Sequence, residues 1–265
     1  MAVLTTQQLA DFYESYREVE LTFTKAIIRA ISLRVNDVHL KVGGEQWPCV
    51  PYSASLSGAR VIAHMQPACF EDLKEAKNLA ALRLTFDPAT AKDTLYFFVA
   101  TRVSGSSAYE AGGKDVHFLD LEFTHKPADD FIEIVGAVLD ANANAQKRGD
   151  ERIVITPVTA TRLGLRGKEL HLYIDGVRRK GILRDLSFSG AKVILAGVGK
   201  FLVDKPASLK LDLEDMGVIT LAGKVVRFEA VEGRRDMAAV AIDFQEDTVP
   251  VDFKLRFNQA LSQQR

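Results

Sequence analysis

The sequence has little cysteine and no C-x-x-C pair, because its two cysteines, Cys49 and Cys69, lie far apart. This spacing indicates neither a structural zinc site nor a redox motif. The sequence also lacks any uninterrupted apolar run close to the ~20 residues that a membrane-spanning helix needs. Its first segment, MAVLTTQQLADFYESYREVE, lacks the basic-then-apolar order of a signal peptide. We therefore expect a cytoplasmic protein that binds no metal ion and does not insert into a membrane.

Catalytic motifs are absent as well. The five histidines form no H-x-x-x-H pair, and the chain contains neither a G-x-S-x-G elbow nor a Walker-type phosphate loop. The sequence therefore predicts a binding protein rather than an enzyme, and it indicates no cofactor.

Net charge is small, at a formal −1, so the total predicts no general attraction to nucleic acid or to a membrane. Between Lys147 and Arg184, however, ten basic residues stand against only four acidic ones. A local excess of this kind is typical of an anion-binding site, and it also fits a solvated basic face.

The chain contains an internal repeat. The segment SASLSGARVIA (53–63) matches DLSFSGAKVIL (185–195) without gaps, with six identical residues. One position differs in chemistry, because the first copy begins with Ser53 and the second begins with the carboxylate of Asp185. The shared residues therefore indicate a common framework, and the differing one indicates a difference in function.

A second pair of segments extends the repeat. GGKDVHFLDLEF (112–123) resembles GRRDMAAVAIDF (233–244), and both end in the alternating apolar residues of a half-buried strand. The separation is 132 residues for the first pair of segments and 121 for the second. The first copy therefore carries about eleven extra residues, which we place around residues 66–78.

Short strands with turn residues every 8–12 positions are expected through most of both copies. A helix is predicted after Pro127, where acidic residues occupy the first turn, and another around Phe253 and Phe257. A further helix is predicted over Thr5–Tyr16. The segment FTKAIIRAISL (23–33) fits a helix by its spacing and a strand by its β-branched content.

These elements predict a mainly β protein with flanking helices. We expect two small antiparallel β-barrels, each followed by a C-terminal helix. The domain boundaries are set at residues 1–145 and 146–265, because the polar run ANANAQ before Lys147 predicts a loosely held connection.

Two short motifs mark the second copy. Arg148 and Arg152 form R-x-x-x-R, and Asp185, Ser187 and Gly190 form D-x-S-x-x-G. This combination resembles the PilZ domain, a receptor for the bacterial second messenger cyclic di-GMP. With a first copy that lacks the charged residues of both motifs, the whole chain is similar to the tandem PilZ receptors of spirochaetes. The resemblance implies two PilZ-type barrels, of which only the second binds the nucleotide.

The resemblance also implies a role for each motif residue. Arginine forks match phosphate oxygens and the O6 and N7 acceptors of guanine, and their planes stack on purines. The Asp185 carboxylate would accept from the N1 and N2 donors of guanine, Ser187 would add a hydroxyl contact, and Gly190 would leave room for the ligand. Lys147 and Arg184, from the basic cluster, are further candidate contacts.

Other interpretations of these residues stay open. Asp185 and Ser187 are also typical of a capped turn, and Arg148 and Arg152 are also typical of the basic end of a helix.

A second R-x-x-x-R, Arg162 to Arg166, lies nearer to Asp185 in the sequence. We assign the clamp to Arg148 and Arg152, because the family's pair lies where the chain enters the domain.

Subtracting 132 places Tyr16 and Glu20 at the positions of the arginine pair, and Ser53 at the position of the motif aspartate. The first copy therefore has no cation and no guanine acceptor at these positions, and it has an acid that would repel phosphate. We predict that the first copy is a scaffold and the second a receptor.

The function that follows is a cyclic di-GMP receptor that changes its interdomain arrangement when the nucleotide binds. We expect the receptor to signal to a protein partner in the control of motility or surface behaviour. We also expect the protein to be a monomer. One alternative is a ligand-free tandem-barrel module for protein interaction. Another, with less support, is a nucleic-acid-binding protein, which we would expect to have more aromatic residues among the basic ones.

Overall fold

A computed structural model describes residues 4–87 and 94–263. The chain divides into two compact units, Met1–Asp140 and Ala141–Arg265. Each unit is built on one antiparallel β-barrel, so the fold class expected from the sequence is confirmed.

The first unit contains a closed ring of strands. The strands are β1 (Leu21–Thr22), β2 (His39–Val42), β3 (Glu45–Ala54), β4 (Gly58–His64), β5 (Leu79–Phe86), β6 (Leu95–Ala108) and β7 (Val116–Phe123). The helices are α1 (Thr6–Tyr16), α2 (Lys25–Ala30), α3 (Pro67–Glu75) and α4 (Asp129–Lys147), within which the division between the units falls. The ring order is β3-β2-β5-β6-β7-β4, and pairing of β4 with β3 closes it, while β1 lies alongside β3.

The second unit repeats this topology. Its strands are β8 (Ile153–Val154), β9 (Glu169–Ile174), β10 (Val177–Leu186), β11 (Gly190–Ala196), β12 (Pro206–Leu213), β13 (Gly217–Val231) and β14 (Arg234–Phe244). Its helices are α5 (Pro157–Arg162) and α6 (Val251–Ser262). The ring order is β10-β9-β12-β13-β14-β11, closed by the pairing of β11 with β10, and β8 lies alongside β10.

Alternate residues of the strands point into each barrel. In β12, Ala207, Leu209, Leu211 and Leu213 are buried and the residues between them are not. Full burial of one such leucine side chain stabilises the fold by ~1.5–3 kcal/mol. The period of two in the sequence therefore corresponds to the wall of a barrel.

Aromatic side chains of the C-terminal helices cover the barrel cores. Phe131 of α4 is fully buried and packs edge-on against Phe97 and Phe123, at centroid distances of 6.0 and 5.8 Å. Phe257 of α6 packs against Phe188 at 4.7 Å. Both helices lie where the sequence predicts them.

The extra residues of the first copy are spread over more connections than we expect from the sequence. Equivalent positions are 132 residues apart in β4 and β11, 127 apart in β5 and β12, and 121 apart at the ends of β7 and β14. The helix α3 lies within the predicted segment 66–78, where the second unit has only a short 3-10 turn, Gly199–Phe201. It accounts for the first step in separation, from 132 to 127, and the remaining extra residues lie between β5 and β7.

The ambiguous segment 23–33 contains a helix. Thr24 caps α2, because its side-chain oxygen accepts from the backbone N–H of Ile27 at 3.3 Å. The helix ends at Ala30, and Leu33 then makes a single bridge to Phe86.

The polar run ANANAQ is helical, so the prediction of a loosely held connection there is wrong. The helix α4 continues through it to Lys147. Ala145 packs against the core of the second unit, and Asn144 Nδ2 donates to Asn258 Oδ1 at 2.8 Å. Polar composition did not predict this, because Asn144 finds a hydrogen-bond partner that is distant in the sequence.

Candidate functional site

An ion pair joins the two sequence motifs of the second unit. Arg152 directly precedes β8, and β8 pairs with the end of β10, where Val154 lies opposite Asp185. Arg152 Nη1 lies 2.5 Å from Asp185 Oδ1, and the two side chains are 35% and 16% exposed. The fold thus brings together a cation and a carboxylate that are 33 residues apart in the sequence.

A β-bulge presents Arg184 beside this pair. The register of β10 against β11 shifts between Leu183 and Asp185. Regular alternation would place the side chains of residues 184 and 185 on opposite faces of the strand, and a bulge changes the direction of one of them. Arg184 is exposed and Asp185 is partly exposed, so consecutive residues offer a donor and an acceptor to solvent.

The segment 148–152, called here the arginine loop, connects α4 to β8. Lys147 is the exposed last residue of α4. The backbone N–H of Arg148 donates to the Asn144 carbonyl at 2.8 Å, and the N–H of Glu151 donates to the Arg148 carbonyl at 2.9 Å. These bonds make the loop a compact turn.

Ser187 and Gly190 form the turn between β10 and β11. Ser187 is fully buried, its N–H donates to the Gly190 carbonyl at 2.8 Å, and its Oγ accepts from the Gly190 N–H at 2.9 Å. A Cβ atom at residue 190 would overlap the carbonyl oxygen of Ile242 on β14. Both residues therefore build the barrel, and their roles as ligand contacts stay a prediction.

The first unit has the same turn. Ser55 N–H donates to the Gly58 carbonyl at 2.9 Å, and Ser55 Oγ accepts from the Gly58 N–H at 3.1 Å. A Cβ atom on Gly58 would come within 2.6 Å of the Leu121 carbonyl oxygen. The S-x-x-G that both copies share is thus a turn of the framework.

The units differ in the charge of two side chains that lie next to this turn, at residues 20 and 53 in the first unit and at residues 152 and 185 in the second. In the first unit the hydroxyl of Ser53 donates to the carboxylate of Glu20. Thr22 lies opposite Ser53 in the same register in which Val154 lies opposite the motif aspartate. One unit therefore carries a carboxylate and a hydroxyl where the other carries an arginine and a carboxylate.

Two family models match the chain, that of the PilZN3 domain over residues 7–142 and that of the PilZ domain over residues 146–255. A protein of Treponema denticola named cyclic di-GMP binding protein is 38% identical over 263 residues, which cover 99% of this chain and 84% of that protein. The chain belongs to the PilZN3–PilZ family. The first unit is thus its PilZN3 part, and the second its PilZ part.

Solved structures are similar at lower identity. The PlzA protein of Borreliella burgdorferi, in complex with c-di-GMP, is 24% identical over 97% of this chain and 99% of that chain, with a TM-score of 0.45. YcgR of Escherichia coli, also in complex with c-di-GMP, is 12% identical over 99% of this chain and 96% of that chain, with a TM-score of 0.30. The family assignment depends on the sequence matches alone.

The outer face of the PilZ barrel adds residues that sequence reasoning missed. Lys192 lies directly opposite Asp185, and Ala241 and Arg227 continue the same row across β14 and β13. Lys192 Nζ lies 2.5 Å from a carboxylate oxygen of Glu229, and this contact lowers the pKa of that carboxyl. The first copy also has a cation at the equivalent position, residue 60, so a comparison of the two copies does not single out Lys192 as a binding residue.

Other basic residues of the cluster lie elsewhere on the PilZ barrel. Arg178 and Arg179 pair with β9 at the opposite end of β10, about 20 Å along the strand from Asp185 at ~3.3 Å per residue. Arg166, from the second R-x-x-x-R, lies 3.5 Å from Asp212 on β12. Of the two arginine motifs, only the first has a side chain paired with the motif aspartate.

Charge is divided unevenly between the two units. Met1–Asp140 contains 13 basic and 19 acidic residues, and Ala141–Arg265 contains 21 basic and 16 acidic residues. The PilZ unit therefore has a net charge of +5 and the PilZN3 unit one of −6. This separation favours an anionic ligand on the second unit.

The described residues offer neither a cluster of metal ligands nor a membrane-spanning helix. In residues 4–87 and 94–263, no group of three or more His, Cys, Asp and Glu side chains could hold a metal ion. Over the same part of the chain, no helix combines the length and the apolar character needed to cross a membrane.

Proposed function

We propose that the protein is a receptor for cyclic di-GMP and that the nucleotide binds on the outer face of the second barrel. The observation that carries this proposal is the pairing of Arg152 with Asp185, beside the bulge that presents Arg184. The first barrel has Glu20 and Ser53 at the paired positions, so it serves as an internal reference without the site.

The chemistry of these groups suits a ligand with two phosphates and two guanines. Arg148 and Arg152 would hold phosphate oxygens or stack on a guanine, and Asp185 would accept from the N1 and N2 donors of a guanine. The ion pair between Arg152 and Asp185 has to rearrange for this. A partly exposed pair is worth ~1 kcal/mol, whereas each bidentate hydrogen-bonded pair formed with the ligand contributes ~1–3 kcal/mol, so binding prevails.

The remaining motif residues take supporting roles in this proposal. Ser187 and Gly190 hold the turn that fixes Asp185, while Lys147 and Arg184 offer further cations to the phosphates. We assign binding to residues 146–265 and the scaffold to residues 1–145.

Calorimetry tests the proposal directly. The whole chain is titrated with cyclic di-GMP, with GTP and with single-stranded DNA, and we expect sub-micromolar binding of cyclic di-GMP alone. The double variant Arg148→Ala, Arg152→Ala should lose detectable binding. The matched control is Arg178→Ala, Arg179→Ala, which removes the same charge from the far end of β10 and should bind normally. Equal affinity of the first variant and the wild type would exclude the site, and a preference for DNA would favour the nucleic-acid alternative.

We propose further that binding changes the arrangement of the two units and thereby acts on a protein partner in the control of motility or surface behaviour. The arginine loop begins directly after α4, the helix within which the units are divided, so a change in the loop is passed to the end of that helix. The ligand can shift this equilibrium only by its difference in affinity for the two arrangements. Distance labels on the two units, compared with and without cyclic di-GMP, test this step, and identical distance distributions would contradict it.

A further inference from the structure

Ser189 contacts the arginine loop from the barrel side. It lies inside the D-x-S-x-x-G turn, at a position that the motif leaves open. Its backbone N–H donates to the carbonyl of Gly149 at 3.2 Å, and its hydroxyl donates to the same carbonyl at 2.8 Å. The hydroxyl oxygen also lies 3.3 Å from Oδ1 of Asp150.

The arginine loop is consequently held at both ends. Ser189 holds it at Gly149, and pairing of β8 with β10 holds the chain again from Ile153. A Cβ atom on Gly149 would lie 3.3 Å from the Ala145 carbonyl oxygen, which is a tight contact, and 3.7 Å from Ser189 Cβ, which is an ordinary one, so the approach of Ser189 does not itself require a glycine. Only three residues separate the two points of attachment.

The PilZN3 unit has a related serine contact, in a segment that lacks the arginine pair of the motif. The hydroxyl of Ser57, the residue equivalent to Ser189, donates to a carboxylate oxygen of Glu18 at 3.0 Å. Glu18 is in turn the equivalent of Asp150 at the separation of 132 residues. The contact of this serine with residue 150, or with its equivalent Glu18, therefore belongs to the barrel framework, and in the second unit the segment that it holds carries the arginine pair of the motif.

We propose that Ser189 is a positioning residue that holds the arginine loop against the barrel in the absence of ligand, so that Arg148 and Arg152 are presented in place. This inference rests on the proposed function, since its benefit is to nucleotide binding. A loop that is already ordered loses less conformational freedom on binding, and the ligand retains more of its contact energy as affinity.

The test combines hydrogen exchange with calorimetry on the whole chain. In Ser189→Ala without ligand, the amides of residues 148–152 should exchange faster than in the wild type. The affinity for cyclic di-GMP should fall by about three- to tenfold, the factor expected for one ordinary hydrogen bond. The matched control is Ser57→Ala, which removes the equivalent hydroxyl from the first barrel and should leave both the exchange of residues 148–152 and the affinity unchanged.

An isosteric pair separates the hydroxyl from packing. Ser189→Thr keeps a hydroxyl and should retain most of the affinity, whereas Ser189→Val has the same shape without it and should bind as weakly as the alanine variant. Equal affinity and equal exchange of residues 148–152 in the threonine and valine variants would overturn the inference. A wild type that binds no cyclic di-GMP would instead refute the proposed function, and the exchange rates would still decide whether Ser189 holds the loop.

Discussion

Substitutions at the Arg152–Asp185 ion pair test whether this position is structurally equivalent to the Glu20–Ser53 position of the first barrel. Arg152→Glu would place two carboxylates side by side and should destabilise the second barrel. The double variant Arg152→Glu, Asp185→Ser would instead recreate the carboxylate and hydroxyl of Glu20 and Ser53, which pair in the same register of the first barrel. We therefore expect the second substitution to rescue the first.

The exposure of the pair sets the size of the effect. Arg152 is 35% exposed, so solvent screening limits the pair to ~1 kcal/mol. Two carboxylates at ~5 Å and an effective dielectric constant of ~40 repel by about 2 kcal/mol. Arg152→Glu should thus cost about 3 kcal/mol, or about 10 °C in melting temperature for a unit of this size. The free energy of unfolding of the double variant should lie within ~1 kcal/mol of the wild-type value. The serine removes the repulsion between carboxylates, and its hydrogen bond to the new glutamate offsets the lost ion pair.

Differential scanning calorimetry of the full chain measures both variants. The single tryptophan, Trp47, lies in the first unit, so its fluorescence transition is an internal control that should not move. A double variant that melts no higher than Arg152→Glu would refute the equivalence of the two sites. Both variants should lose binding of cyclic di-GMP, since neither retains the arginine.

Three further predictions concern other parts of the fold. Gly190→Ala should destabilise the second unit by about 3 kcal/mol through overlap with β14, and an unchanged calorimetric transition would contradict this close approach. Burial raises the pKa of Cys49 to about 12, so alkylation at pH 8 should label the half-buried Cys69 and spare Cys49 until the chain is denatured, as followed by mass spectrometry. The hydrogen bond from Lys192 lowers the pKa of Glu229 below its ordinary value of 4.5. The pair should therefore stabilise the fold at neutral pH, and this stabilisation should disappear as the pH falls through the lowered pKa. Carboxyl NMR titration checks the shift in pKa, which Lys192→Met should reduce but not abolish, because Arg227 also lowers the pKa of Glu229.

The framework of the protein was predictable because the same physical constraint acts twice. Ser187 and Gly190 recur as Ser55 and Gly58 because each pair closes a turn in which a glycine faces a neighbouring carbonyl. Identity between the copies therefore marks residues that build the barrel. The motif alone led us to expect ligand contacts from these residues, whereas the repeat already indicated a role in the fold.

The candidate site was predictable only in part. Asp185 differs from its counterpart in the first copy, and this difference singled it out. The bulge at Arg184 and the position of Lys192 opposite Asp185 depend on strand register, which short motifs do not specify. The helical course of ANANAQ was missed for a similar reason, since the partner of Asn144 is Asn258, which is distant in the sequence.

The order of strands in each ring has a consequence for folding. Hairpins join β2 to β3 and β3 to β4, and likewise β5 to β6 and β6 to β7, so each barrel consists of two three-stranded meanders. Within the described ring of the first unit, which leaves out β1, the β2–β5 and β4–β7 seams are the ones that connect strands that are not consecutive. We expect the local meanders to form before the distant pairings, because loop closure has to precede the contacts that reward it. Gly58 and Gly190 lie on the late β4–β7 seam and its equivalent, β11–β14. The motif glycine therefore lies on a seam that we expect to close late, and we expect a side chain at this position to slow the final step of barrel assembly.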